Sequence, residues 1–317
     1  MLYENHRYLY DGERNRTEII RKRPDAEEAS GKYGYVYDAL GRLEEVSRDG
    51  ERIRSYTYDA WGNRLNKTDT MEGKTKEIHY QYHPSGELLR ESDGTSELSY
   101  TYDLRGNLTE IHRDGVLEKS YCYDCRNRLS QVTTADGRAV TYLYNSLGYR
   151  VRREEQQSDG SVTCKNYTVD YTRKANNLLE ESDGTTTVRY LWDGRAAVRK
   201  EGKESLYYLH DELGSPIRLL NNQGEMLETY AYTEFGEELY DMGATQPFTY
   251  TGYQKDELAG TYFAQAREYN PALGRFMAED IIRGTVLYPQ SLNHYAYCYN
   301  NPEGFVDEDG ELPLLTI

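Results

Sequence analysis

Apolar and polar residues along this chain alternate with a period of two, and the apolar partner is usually tyrosine. The clearest stretch is Tyr35-Val-Tyr-Asp-Ala-Leu-Gly-Arg-Leu43. It recurs as Tyr56-Thr-Tyr-Asp-Ala-Trp-Gly-Asn-Arg-Leu65, Tyr80-Gln-Tyr-His-Pro-Ser-Gly-Glu-Leu88, Tyr100-Thr-Tyr-Asp-Leu-Arg-Gly-Asn-Leu108, Tyr121-Cys-Tyr-Asp-Cys-Arg-Asn-Arg-Leu129 and Tyr142-Leu-Tyr-Asn-Ser-Leu-Gly-Tyr-Arg150. Weaker copies stand at Tyr8-Leu-Tyr-Asp11, Tyr190-Leu-Trp-Asp193, Tyr208-Leu-His-Asp-Glu-Leu-Gly-Ser-Pro216 and Tyr230-Ala-Tyr-Thr-Glu-Phe-Gly236. Side chains two apart on a strand share a face, so each Tyr-x-Tyr presents two rings to one side. Asp-x-x-Gly then predicts a turn, with the carboxylate accepting a backbone N–H two residues on and Gly free to take positive φ. A return strand follows, as in Leu43-Glu-Glu-Val-Ser47, and Asp-Gly pairs such as Asp49-Gly50 and Asp114-Gly115 link to the next copy. Each copy therefore reads as a hairpin, and neighbouring tyrosine pairs are expected to form rows across the strands.

Spacing decides between all-β architectures. The repeat of roughly 20 residues supplies two strands, half of what a propeller blade needs. A continuous, curved ribbon of antiparallel hairpins fits better. About 25 strands at roughly 4.8 Å each give a ribbon on the order of 120 Å long. Curled once, it makes about one turn, partly or fully closed.

Composition sharpens this picture. Mean hydropathy is −0.90 and 29% of residues are charged, which would suit disorder. Thirty-three tyrosines argue against it, because each buries a ring and keeps its polar tip wet or bonded. The formal net charge of −16 disfavours nucleic acid and anionic membrane as partners. No apolar run reaches 18 residues, so no membrane-spanning helix is expected, and the first residues carry no secretory leader pattern. Cys122, Cys125, Cys164 and Cys298 read as separate thiols; Cys122-Tyr-Asp-Cys125 has no second pair nearby, so neither a metal nor any other cofactor is expected.

The last fifty residues stop repeating. They run Tyr262-Phe-Ala-Gln-Ala-Arg267-Glu-Tyr-Asn-Pro-Ala-Leu-Gly-Arg-Phe-Met-Ala-Glu-Asp280, then Ser291-Leu-Asn-His-Tyr-Ala-Tyr-Cys-Tyr-Asn-Asn-Pro302, then Asp307-Glu-Asp-Gly310. This order resembles the C-terminal end of Rhs/YD-repeat proteins, the group that includes bacterial polymorphic toxins, Tc-toxin C components and teneurin shells. Leu206-Tyr-Tyr-Leu-His-Asp-Glu-Leu-Gly-Ser-Pro-Ile-Arg218 resembles the signature at the entry to the family's core. With the repeats, the likeness spans nearly the whole chain. It implies a hairpin shell over 1–204, an Rhs-associated core over 205–312 that folds inward as a plug, and a tail at 313–317. It implies a secreted or cell-surface piece of a larger bacterial protein, enclosing a C-terminal toxin cargo and meeting a delivery apparatus or other shell segments.

The resemblance also implies self-cleavage by an aspartate pair. Two close carboxyls share a proton; the ionised one activates water and the protonated one supports the carbonyl under attack. Carried over, the pair is Asp280 and Asp307, with Asp309 as an alternative to the second, Arg267 as their partner, and the cut between Glu311 and Leu312. Three residues depart from the family pattern. Ile281 and Glu308 replace prolines, and Glu311 stands where the family has an apolar residue. A second reading stays open, in which Arg267 simply pairs a carboxylate, Asp307-x-x-Gly310 is one more turn, and the chain is a non-catalytic scaffold for protein or glycan contact.

Overall fold

A computed structural model describes residues 5–24, 26–71, 73–239 and 246–315. Residues 1–4, 316 and 317, which the leader and tail readings touch, fall outside them. Twenty-one strands, from β1 (Asn5–Tyr10) to β21 (Met226–Thr229), pair antiparallel in strict chain order as one sheet. The regular structure outside strands is four 3-10 turns of three or four residues among the described residues, so the chain is all-β. The sheet runs through the signature at 206–218, whose strands Glu204–His210 and Pro216–Leu220 are one more hairpin. The chain leaves it after Thr229. The copy at Tyr230–Gly236 keeps its turn, with Thr233 N donating to Glu237 O, but its continuation makes only an isolated bridge. One copy escapes the tyrosine pattern altogether. At Tyr167-Thr-Val169-Asp170 valine takes the second ring's place, and eight residues (170–177) separate the strand partners Val169 and Leu178, against five (38–42) in the clearest copy.

The turn chemistry is repeated almost identically. Asp38 Oδ1 accepts from Leu40 N and Arg42 N at 2.9 and 3.0 Å, and Asp59, Asp103 and Asp124 do the same two and four residues on. The other oxygen takes the side chain at the fourth position, such as Asn63 or Asn107, at 2.9 Å. The second aromatic ring stitches hairpins together. Tyr58 Oη donates to Leu43 O, Tyr144 Oη to Leu129 O, and Trp192 Nε1 to Leu178 O, each reaching the preceding hairpin. Turn arginines add a second stitch along this rim: Arg42 donates to Asp59 O, Arg105 to Asp124 O and Arg126 to Ser146 O.

The return strands do not alternate strictly. Tyr37 pairs with Leu43 and Val36 with Glu45, so one residue is squeezed out by a bulge. Leu43 and Val46, three apart, therefore both face inward and are fully buried. The same bulge follows in the other copies. Tyrosine rows consequently alternate with these return-strand residues rather than stacking ring on ring, because each hairpin contributes one tyrosine strand.

Those two inward positions explain how the plug is held. Half of them carry Leu, Val or Ile, but Arg16, Arg64 with Lys67, and Arg150 with Arg153 occupy the same register. After Thr229 the chain turns into the concave face and lays down a four-stranded sheet, β22 (Gln254–Asp256), β23 (Thr261–Ala264), β24 (Arg267–Asn270) and β25 (Arg275–Phe276). Plug carboxylates meet most of the inward cations, while Arg64 lies over the Tyr56 and Phe235 rings and donates to Leu273 O. Arg150 Nη2 lies 2.5 Å from Glu268 and its guanidinium 3.7 Å over the Phe263 ring. Arg153 Nε is 2.7 Å from Asp256, which also accepts from Tyr142 Oη. Arg16 Nη1 is 2.5 Å from Glu303, Lys67 pairs with Glu237, and Arg54 lies 2.9 Å from Glu234. Around them the first tyrosines of the repeats and the plug form two buried clusters, one with the plug rings Tyr250, Tyr269, Phe276 and Tyr297 and a second in which Tyr80, Tyr100, Tyr121 and Tyr142 join Leu258, Leu273 and Met277. Plug residues also reach the turn rim: Tyr295 Oη donates to Gly106 O and Asn300 Nδ2 to Gly62 O.

The ribbon curls back on itself without closing by backbone pairing. Tyr8 Oη donates to Glu212, Arg16 Nη1 pairs with Glu212, and Arg23 donates to Tyr230 O. First and last hairpins thus meet through side chains, about one turn apart.

If the turn carboxylates organise the hairpins, Asp103→Ala removes the acceptor of two backbone N–H groups and of Asn107. It is expected to lower stability by about 1–3 kcal/mol, read from the denaturant midpoint; an unchanged midpoint would contradict this role.

Candidate functional site

Arg267 opens β24, whose register against Tyr262–Ala264 turns its side chain into the plug. It is buried and stacks 3.6 Å over the Phe276 ring. Nε donates to Gly310 O at 2.6 Å and Nη1 to His294 O at 2.9 Å. Nη2 faces both aspartates: Asp280 Oδ2 at 2.7 Å and Asp307 Oδ2 at 3.8 Å. Residues 267, 280 and 307, far apart in sequence, therefore surround one guanidinium.

The two carboxyls differ. Asp280 sits at the edge, its Oδ1 accepting from Ile282 N at 2.7 Å. Asp307 is completely enclosed. Its Oδ1 accepts from Gly310 N at 2.8 Å and Glu311 N at 3.2 Å, while Oδ2 has no hydrogen-bond partner and touches Arg267 only at ion-pair range. Burial pushes the Asp307 carboxyl up to about 6 against the pull of Arg267. Burial also raises Asp280, again opposed by Arg267, and pulls the Arg267 guanidinium down while Asp280 pushes back. An unpartnered, buried Oδ2 with a raised pKa is a place for a proton.

The Asp307–Gly310 turn is tight. Gly310 has φ +73°, and a Cβ there would come within 2.4 Å of Ala264 O, so the position demands glycine. Asp309 holds its own turn, Oδ1 accepting from Glu311 N at 3.2 Å, and its backbone carbonyl accepts from Ala266 N. Its side chain points to Lys174, 3.6 Å away, and not to Arg267's ion pairs. Glu311, Leu312 and Pro313 line a cleft of about 200 Å³ with Arg267, Asp280 and Tyr299. Tyr253 Oη donates to Asp307 O from below. Cys298, Tyr299 and Asn300 beside it take φ of 47°, 56° and 61°, three consecutive left-handed residues, which cost on the order of 1–2 kcal/mol each. The four cysteines are free thiols, with Cys122 and Cys125 exposed and Cys298 buried.

Two contributors escaped the sequence reading. Lys174 belongs to the expanded turn at 170–177, and its length was the available signal. The His294 carbonyl, like any backbone group, leaves no mark in the residue types.

Comparison with known proteins agrees with this architecture. The family model of the teneurin YD-shell matches residues 5–303. The chain belongs to the teneurin YD-shell family. As a YD-shell protein it is 31% identical over 301 residues to the tRNA3(Ser)-specific nuclease WapA of Bacillus spizizenii, covering 89% of this chain and 12% of that relative. It is 25% identical to Teneurin-3 of Danio rerio, covering 87% of this chain and 10% of that one. The solved structure of TcdB2-TccC3 without its hypervariable C-terminal region superposes with a TM-score of 0.61 at 18% identity, covering 96% of this chain and 18% of that chain; it shares the fold. This YD-shell segment thus spans about an eighth of the length of the WapA relative. Among the described residues no helix is long and apolar enough to cross a membrane.

Asp307 makes stability depend on pH. Its folded value of about 6 exceeds its unfolded value of 3.8, so the folded chain holds the proton more tightly. Its contribution is fully present below pH 4 and is lost as pH rises through 6, on the order of 3 kcal/mol in all. Asp307→Asn removes this dependence. The variant should gain stability relative to the parent between pH 4 and 7 by denaturant unfolding; a constant difference would contradict the raised pKa.

Proposed function

We propose that this chain is the plugged end of an Rhs/YD-repeat toxin shell, and that Asp280, Asp307 and Arg267 cut the chain once, between Glu311 and Leu312. The observation that carries the proposal is one guanidinium nitrogen facing both carboxylates beside the Glu311–Leu312 peptide. Asp280, paired with Arg267, is the ionised member and takes a proton from water. The water oxygen attacks the Glu311 carbonyl carbon. Asp307 donates its Oδ2 proton to the carbonyl oxygen, and the tetrahedral intermediate collapses as the C–N bond breaks. Asp280 gives its proton to the leaving Leu312 nitrogen and Asp307 takes one from a hydroxyl of the intermediate, so both carboxyls return to their starting states. The chemistry is intramolecular; no turnover enzyme is proposed.

The interior argues about cargo. Between the ribbon and β22 a cavity of about 780 Å³ remains, lined by Arg153, Lys165, Glu181 and Asp256 among others. A folded 100-residue domain, with a radius of gyration of about 13 Å, fills on the order of 10⁴ Å³. Among the described residues, plug rings and ion pairs fill much of the concave face. The chamber for a C-terminal cargo is therefore completed by further shell segments, with this chain as its end wall, in a larger secreted or cell-surface bacterial protein that a delivery apparatus exports. The WapA relatives are tRNA nucleases and the Tc relative has a hypervariable C-terminal region, which supports cargo of that kind.

A scaffold without catalysis has one observation in its favour. Arg267 and Asp307 already close local structure, through Gly310 O, His294 O and the Gly310 turn. Intact mass separates the readings. Self-cleavage predicts loss of the residues after 311 in the parent and a full-length chain in Asp280→Asn and Asp307→Asn. A full-length parent would leave the scaffold.

A further inference from the structure

The residue on the acyl side of the proposed cut is a glutamate, and the shell supplies its counter-charge. Lys174 lies in the expanded turn between the strands Val162–Val169 and Leu178–Ser182. Its Nζ is 2.9 Å from Glu311 Oε2 and 3.6 Å from Asp309 Oδ2. Among the described residues it is the cation in ion-pair range of Glu311. The backbone around that residue is fixed from the other side: Glu311 N donates to Asp307 Oδ1 and Asp309 Oδ1, and Gly310 O accepts from Arg267. Glu311 is thus gripped through its backbone by the plug and through its side chain by the ribbon.

Electrostatics requires such a grip. An unpaired carboxylate at 311 would sit close to Asp280 and Asp309. Like charges repel a side chain out of such a site and drag the peptide bond with it. The turn that carries Lys174 is three residues longer than the regular one, as the strand partners show.

We infer that Lys174 is a specificity-determining residue of the self-cleavage site, pairing with the Glu311 carboxylate so that an acidic residue precedes the cut. The inference rests on the self-cleavage reading above. It means that the ribbon contributes to the site, so cutting is fastest once the hairpin at 162–182 has docked against the plug. Lys174 is largely exposed, so its effect lies in placing the peptide bond and not in holding the fold.

The test is the rate of self-cleavage by the full chain after refolding, followed by intact mass. Lys174→Ala should slow the cut about two- to five-fold, as expected for loss of an exposed pair, and high salt should narrow that gap. Lys174→Glu should slow it roughly tenfold or more through repulsion, and Lys174→Glu/Glu311→Lys should recover most of the loss. A merely structural lysine would not be rescued by the swap. Parental rates in Lys174→Glu, or no recovery in the swap, would overturn the inference. A second arm uses Asp280→Asn, which should remain uncut, digested with a glutamate-specific endoprotease. Adding Lys174→Glu should speed cleavage after Glu311; an unchanged rate there overturns the pairing. A full-length parent defeats the self-cleavage reading and Lys174's part in cutting with it, whereas the digestion arm still decides whether Lys174 holds residue 311.

Discussion

Arg16, Arg54, Arg150 and Arg153, buried or half-buried on or against the inner face of the ribbon, need carboxylates, and the plug brings them. A guanidinium out of water is costly unless it is paired and its donors are satisfied. Arg150 meets Glu268, Arg153 meets Asp256, Arg16 meets Glu303 and Arg54 meets Glu234. These pairs fix where the plug sits more narrowly than rings could, because hydrophobic contact is non-directional. Glu268 adjoins Arg267 on β24, so the pair that docks the strand on its Arg150 side also sets the arginine that faces Asp280 and Asp307.

Much of the fold was legible because the repeat states its own geometry. Tyr-x-Tyr, Asp-x-x-Gly and Asp-Gly name strand, turn and link, and the turns at Asp38, Asp59, Asp103 and Asp124 close with the expected carboxylate contacts. The bulge was less legible. Leu43-Glu-Glu-Val46 reads as imperfect alternation until the pairing of Val36 with Glu45 shows why residues three apart share a face. The inward charges were readable in principle. Aligning Arg64 and Lys67 under Leu43 and Val46 puts cations in core register, but taken singly they look like ordinary surface residues of a charged chain.

The site divides in the same way. Arg267, Asp280 and Asp307 were marked by family resemblance, and they gather around one guanidinium. What they do there is a matter of chemistry that residue types do not settle. Lys174 was marked only by the length of its turn, because its contact with Glu311 spans 137 residues and belongs to a copy with valine in place of its second aromatic. A repeat that loses its pattern locally, as at 167–178, is a place where the ribbon has been altered to meet something other than its neighbours.

Docking of the plug rests on the inward cations of the ribbon. A double-mutant cycle on Arg150 and Glu268, read by denaturant unfolding, addresses it most directly. Arg150→Met and Glu268→Leu should each cost about 3–5 kcal/mol by stranding the partner's charge, and the double variant should recover most of that loss. Losses that simply add in the double variant would contradict the claim.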